Sequence, residues 1–176
     1  TPLALDNRKA TLRTSQQHQH YGYSRTHTST YRQGRPNSTV TNKTLSEIKP
    51  GSQIYTAEQA LSAEFCRNTI ESFEAASDEQ YQGRVGQSDV ESLEIKRSTD
   101  LVISGKAHWQ DVDRTLFSSL GDALGVLRAE HTFFRGRFKD YGYAIQRTLP
   151  GEYFHWHVDS GSHSFADRQL VAIWYL

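Results

Sequence analysis

Pro150-Gly-Glu-Tyr-Phe-His-Trp-His157-Val-Asp159-Ser-Gly161 is the stretch on which the reading of this chain turns. A Pro-Gly pair marks a turn, and the aromatic run after it reads as a strand over 153–158. In an extended strand side chains alternate, so residues two apart share a face. His157 and Asp159 then project together, while Val158 points into the opposite layer. One imidazole and one carboxylate at this spacing supply two corners of a 2-His-1-carboxylate iron site, which leaves coordination positions open. His155 falls on the same face, so His155 with His157 is a rival pair, suited equally to zinc or copper.

Outward from the motif, 160–167 reads as a loop, followed by Arg168 and an apolar strand over 169–176. On the other side, 141–149 reads as a strand. Val112, Leu116, Leu120, Leu124 and Leu127 recur at helical spacing and predict a helix over 111–128. Leu101, Val102 and Ile103 mark a strand over 99–104, and the polar stretch 77–95 reads as a loop. Ser62 is placed to cap a helix reaching Ala76, with Phe65, Ile70 and Phe73 facing the core. Ile54-Tyr55 reads as a short strand, and Thr56-Ala-Glu-Gln59 has the form of a capping box that opens a helical turn. Helices come first and strands later. That order predicts an α+β unit in which two helices buttress an antiparallel sheet.

Residues 1–45 differ from the rest. They carry seven Lys or Arg against the single acid Asp6, leaving thirteen basic and nineteen acidic residues in 46–176. The net charge of zero is thus a basic arm cancelling an acidic body. The arm has no apolar period, and mean hydropathy over the chain is −0.69. Such a segment buries too little apolar surface to offset its ordering entropy alone. We expect an extended arm, ordered by a partner on which His18, His20, Tyr21, Tyr23 and His27 pack, or by other copies of the chain. Lone Cys66 excludes an internal disulfide and fits a reducing compartment. No run of 18 apolar residues is present, so no membrane-spanning helix is expected. The setting expected is cytoplasmic, or virion-associated for a virus-encoded chain.

The pattern G-x-Y-x-x-x-H-x-D over 151–159, then a loop and R-x-L-x-x-x-x-Y-L over 168–176, resembles the prolyl 4-hydroxylase-like branch of the 2-oxoglutarate- and Fe(II)-dependent oxygenases, bacterial and phage members above all. The resemblance covers roughly 46–176. It implies a double-stranded β-helix of jelly-roll or cupin type, of which this chain carries the N-terminal half. It implies His157 and Asp159 as iron ligands, and Tyr175, Phe154 and the Thr148 position as contacts of 2-oxoglutarate. His155, Tyr153 and Arg168 are implied around the metal or the substrate; Arg168 more readily closes the loop or pairs with an acid. Trp156 is expected in the core on the far face. The implied cofactors are Fe(II), 2-oxoglutarate and O2, with ascorbate as an auxiliary reductant. The implied activity is hydroxylation of a protein side chain of prolyl type, or of a small molecule. The third ligand, a histidine, and the Arg or Lys that binds the distal carboxylate are expected beyond Leu176 in a longer protein. His163 is the only nearby histidine that follows the motif, and the family does not use it.

Three other readings stay open on the residues alone. A structural or assembly protein on an oxygenase-like scaffold accounts for the polar arm. A nucleic-acid binder would use the arm's cations and tyrosines, but they are spread thinly. A zinc hydrolase would use His155, His157 and Asp159, with Glu152 as its only nearby base.

Overall fold

A computed structural model describes residues 9–13, 45–85, 90–157, 159, 166 and 168–176. Among these residues it is a mixed α+β structure of antiparallel strands and two helices, without a closed barrel. In chain order the strands are β1 Lys9–Arg13, β2 Leu45–Glu47, β3 Ile54–Glu58, β4 Tyr81–Gln82, β5 Arg84–Val85, β6 Val90–Glu91, β7 Lys96–Arg97, β8 Thr99–Val102, β9 Ala144–Arg147, β10 Tyr153–Phe154 and β11 Val171–Trp174. Helix α1 spans Ala63–Ala75 and α2 spans Gln110–Glu130.

Two sheets flank α2. One has the order β11-β1-β3-β2, the other β4-β8-β9, and every pairing is antiparallel. Tyr55, Leu124, Leu127 and Phe134 form the core between α2 and the four-stranded sheet. Phe73, Leu101, Ile103, Trp109 and Leu116 form a second core, against which Phe65, Val112, Tyr143 and Trp174 pack. Leu116, Leu124 and Leu127 are buried, with Val112 and Leu120 packed beside them, so the predicted stripe is the seam that joins both cores. Ser119 pins this seam: its hydroxyl accepts from Trp174 Nε1 at 3.1 Å and donates to the Ala60 carbonyl at 3.3 Å.

Helix α1 begins where the sequence places it. Ser62 is extended, with φ −73° and ψ 150°, and its Oγ accepts from the Phe65 N–H at 3.1 Å. This satisfies one of the donors that a helix start leaves unpaired. Replacing Ser62 by Ala is expected to lower stability by about 1 kcal/mol, read as a drop in the urea midpoint at unchanged slope. Phe73 is buried, but Ile70 is 41% exposed. The buried stripe runs through Phe65, Thr69 and Phe73, and Ile70 sits at its margin, about 100° round the helix from Thr69.

Several other expectations need correcting. Thr56–Glu58 does not open a helical turn. It continues strand β3, because β1 and β2 pair with it on both edges. The stretch 77–95 is not all loop, since it carries β4 and the β5–β6 pair. Of the strand expected over 153–158, the described residues show only Tyr153–Phe154 as strand. Lys9–Arg13, within the stretch read as an arm, pairs with both β3 and β11. That part of the arm is therefore tied to the chain's own sheet. The tyrosines and histidines of 18–27, together with Val158 and His163, lie outside the described residues.

A surface cluster closes the turn after α1. Glu79 accepts from Lys106 Nζ at 2.5 Å and faces His108 Nε2 at 2.7 Å. The hydrogen bond from Lys106, helped by His108, holds the Glu79 carboxyl below its ordinary value. A carboxylate with a lowered folded pKa adds stability above its unfolded pKa and loses it as pH falls through the folded one. Glu79→Gln is therefore expected to lower the melting temperature at pH 7, with the gap to the wild type closing in acid.

Candidate metal centre

The site is built on a short ribbon. Gly151, at φ +89°, lets the chain reverse after Pro150, and Glu152 N–H closes the turn on the Leu149 carbonyl at 2.9 Å. A residue with a side chain would be strained at that φ. Strand β10 then pairs with β7 in the register Tyr153 opposite Arg97 and Phe154 opposite Lys96. His155 N–H donates to the Ile95 carbonyl at 3.0 Å and extends the ribbon by one residue, while Tyr153 Oη reaches the Leu93 carbonyl at 2.8 Å.

Beyond His155 the chain bends. The imidazole of His157 stacks on the Phe154 ring, with centroids 3.9 Å apart and planes 19° from parallel. In an extended strand, residues three apart are separated by about 10 Å, so this stack requires a turn. Trp156, at the outside of that bend, is 98% exposed. The expected core position for Trp156 is wrong, because the backbone no longer alternates where it sits. His155 is exposed, and its ring packs on Tyr153 at 4.8 Å.

The bend nevertheless brings His157 and Asp159 together. His157 Nε2 lies 3.1 Å from Asp159 Oδ1. On the other side of the ring, Nδ1 lies 2.6 Å from the His155 carbonyl oxygen. A carbonyl only accepts, so Nδ1 carries the proton and donates. In the neutral ring, Nε2 then presents a lone pair to the carboxylate. The Asp159 side chain is 16% exposed, and no aligned hydrogen bond ends on Oδ1 among the described residues. Burial pushes the Asp159 carboxyl up to about 6, with His157 and Arg168 pulling the other way. Two acceptors this close need a positive centre between them. Either a second proton on the imidazole or a cation meets the need.

The donor set fits a divalent metal. Nδ1 is fixed by a backbone carbonyl, as is usual for ligating histidines, and among the described residues no hydrogen bond of good geometry ends on the carboxylate oxygen that faces Nε2. Among the described residues no third His, Cys, Asp or Glu joins the pair.

The other predicted site residues divide into two groups. Phe154 touches His157, and Arg168 is near enough to act on the Asp159 charge. Tyr153 and His155 lie on the same ribbon. Tyr175 is 46% exposed, and Thr148 accepts from Gln146 Nε2 at 3.2 Å on an exposed edge. No hydrogen bond or ring contact links either of these two to His157 or Asp159 among the described residues.

Beneath the ribbon lies a group that the sequence reading passed over. Lys96 and Asp100 are both buried, with Nζ 2.5 Å from Oδ2, and Ser98 Oγ donates to Oδ1 at 2.8 Å. The Lys96 ammonium also sits 4.8 Å from the centre of the Phe154 ring. The available signal was the placing of Lys96, Ser98 and Asp100 at alternate positions leading into the apolar β8, which puts three polar residues on one face.

An apolar cleft lies elsewhere. It has a volume of about 20 Å³, room for roughly one water, and is lined by Leu45, Ala57, Leu120, Ala123 and Trp174 between α2 and the four-stranded sheet. No helix among the described residues is long and apolar enough to cross a membrane. Comparison with protein-family models, curated proteins and solved structures finds no match for this chain.

Proposed function

We propose that the protein is a 2-oxoglutarate- and Fe(II)-dependent dioxygenase, acting on a protein side chain of prolyl type or on a small molecule, with His157 and Asp159 as two of the iron ligands. One observation carries this reading. An imidazole with its Nδ1 locked turns Nε2 to within 3.1 Å of a largely buried carboxylate oxygen that receives no aligned hydrogen bond among the described residues. The α+β arrangement, antiparallel strands packed on two helices, agrees with the first half of a double-stranded β-helix and its buttress.

The bound metal would supply O2 activation coupled to oxidative decarboxylation of 2-oxoglutarate. The chain's own residues bind and orient. Nε2 of His157 and Oδ1 of Asp159 are the donors. The His155 carbonyl holds the proton on Nδ1 and so keeps the lone pair on Nε2. The Phe154 ring covers a face of the imidazole and keeps water from it. Arg168 offsets part of the carboxylate's charge before metal arrives. The third ligand and the basic residue for the distal carboxylate belong to parts of the protein outside the described residues.

The test is metal binding followed by turnover. Titration with Mn2+ or Co2+ is expected to give one site that His157→Ala and Asp159→Ala each abolish. The full-length protein with Fe(II) is expected to release succinate from 2-oxoglutarate. If Mn2+ and Co2+ bind equally well to both variants, the assignment of these ligands is wrong.

A further inference from the structure

We propose that the buried Lys96–Asp100 pair is a positioning device for His157, acting through the Phe154 ring. The inference rests on the reading of His157 as a metal ligand.

Each link is a contact. Ser98 Oγ holds Asp100 Oδ1 at 2.8 Å, and Asp100 Oδ2 holds Lys96 Nζ at 2.5 Å. The lysine stem is packed against Gly83: a Cβ there would stand 2.7 Å from Lys96 Cε and 2.2 Å from Ser98 Oγ. Gly83 N–H in turn donates to the Ser98 carbonyl at 2.9 Å. The ammonium is therefore confined to one place. It lies 4.8 Å from the centre of the Phe154 ring, its direct cross-strand neighbour. A desolvated cation over an aromatic face is attracted to it. The same ring stacks on His157 at 3.9 Å.

His157 is thus held twice. Its ring plane is set by Phe154, and its edge by the His155 carbonyl. Both holders belong to the β7–β10 ribbon, since His155 N–H is bonded to Ile95. After His155 the regular strand ends, so nothing in the ladder itself orients residue 157. A stacked ring fixed from below replaces that ladder. Burying an ion pair where two apolar residues of similar volume would pack as well is costly or neutral for stability. A role in setting the imidazole accounts for the pair's place under this ring.

The experiment removes the pair without leaving a lone buried charge. The variants are Lys96→Met with Asp100→Leu, Phe154→Leu, and all three together. Each is measured three ways: melting temperature, Co2+ affinity, and the tautomer of His157 in metal-free protein by 15N NMR, assigned with His157→Asn. The double variant is expected to fold and to bind Co2+ about 10-fold more weakly, the range seen when an outer partner of a ligating histidine is lost. Its His157 signal is expected to shift from one tautomer toward a mixture. Phe154→Leu should do the same, and the triple variant should be no worse than Phe154→Leu, because the pair acts through that ring. Unchanged Co2+ affinity and an unchanged tautomer in the double variant overturn the proposal. If the double variant does not fold, an unchanged tautomer in folded Phe154→Leu overturns it. If wild-type protein binds no Co2+, the metal-site reading fails, and the tautomer measurement alone decides whether Lys96 positions His157.

Discussion

Asp159→Asn is expected to abolish metal binding and, at neutral pH, to make the metal-free protein more stable. Both effects follow from one buried carboxyl. Its pKa is raised from the ordinary 3.8 to about 6, first by burial. A carboxyl with a raised folded pKa contributes fully below its unfolded pKa, and that contribution is lost as pH rises through the folded value. Between about pH 4 and 6 the unfolded chain ionises at this position while the folded carboxyl stays largely protonated, and above about 6 the folded wild type holds a charge that burial disfavours. Two pKa units correspond to at most about 3 kcal/mol. Asparagine keeps the shape and removes the charge. The melting temperature of metal-free Asp159→Asn should exceed that of the wild type at pH 7.5, and the gap should vanish below about pH 4. Metal reverses the order. At 100 times its dissociation constant a ligand adds about 2.7 kcal/mol to the state that binds it, and only the wild type should gain this. Calorimetry at pH 4 and pH 7.5, with and without Mn2+, reads all four values. A lower melting temperature for metal-free Asp159→Asn at pH 7.5 would mean that the carboxylate serves the fold and not a metal.

Leu101→Ala should lower stability by about 2–5 kcal/mol, the range for emptying a core site of a leucine side chain. Leu101 is fully buried in β8, where Phe73 of α1, Trp109 and Leu116 of α2 also converge. It lies opposite Ile145 of β9, so the cavity would open between a sheet and both helices. Those elements were placed by separate contacts and cannot collapse together around a single gap, which pushes the cost up within the range. Ile70→Ala is the control. It removes as many carbons from a side chain that is 41% exposed, and its cost should stay well below that of Leu101→Ala. Urea denaturation at matched slope separates the two. Equal losses would mean that the core is not where the buried residues place it.

Periodicity carried the helices. The Leu116–Leu127 stripe and the Ser62 cap were legible because both depend on neighbours within one or two turns, and such local preferences survive into the fold. The mixed α+β class agrees with the structure, but the order of helices first and strands later does not: among the described residues three strands precede α1 and five lie between the two helices. The sequence-level errors share one cause, contacts with residues far away along the chain. Thr56–Glu58 has the letters of a capping box, but two strands claim its edges. Ile70 has helical spacing, but neighbouring elements cover the face beside it. Trp156 was placed in a core by alternation, and alternation ends one residue earlier.

The His157–Asp159 motif makes the division plain. By themselves the residues determined which donors are at hand, an imidazole and a carboxylate two positions apart, and that a turn precedes them. Only the tertiary structure decided that these donors meet through a bend and a stacked ring instead of along one strand face, and that a buried Lys96–Asp100 pair lies beneath that ring. Donor chemistry is a property of the side chain and can be read letter by letter. Orientation and charge environment depend on what packs alongside: His157 stacks on Phe154, and the cross-strand neighbour of Phe154 is Lys96, fifty-eight positions earlier in the chain.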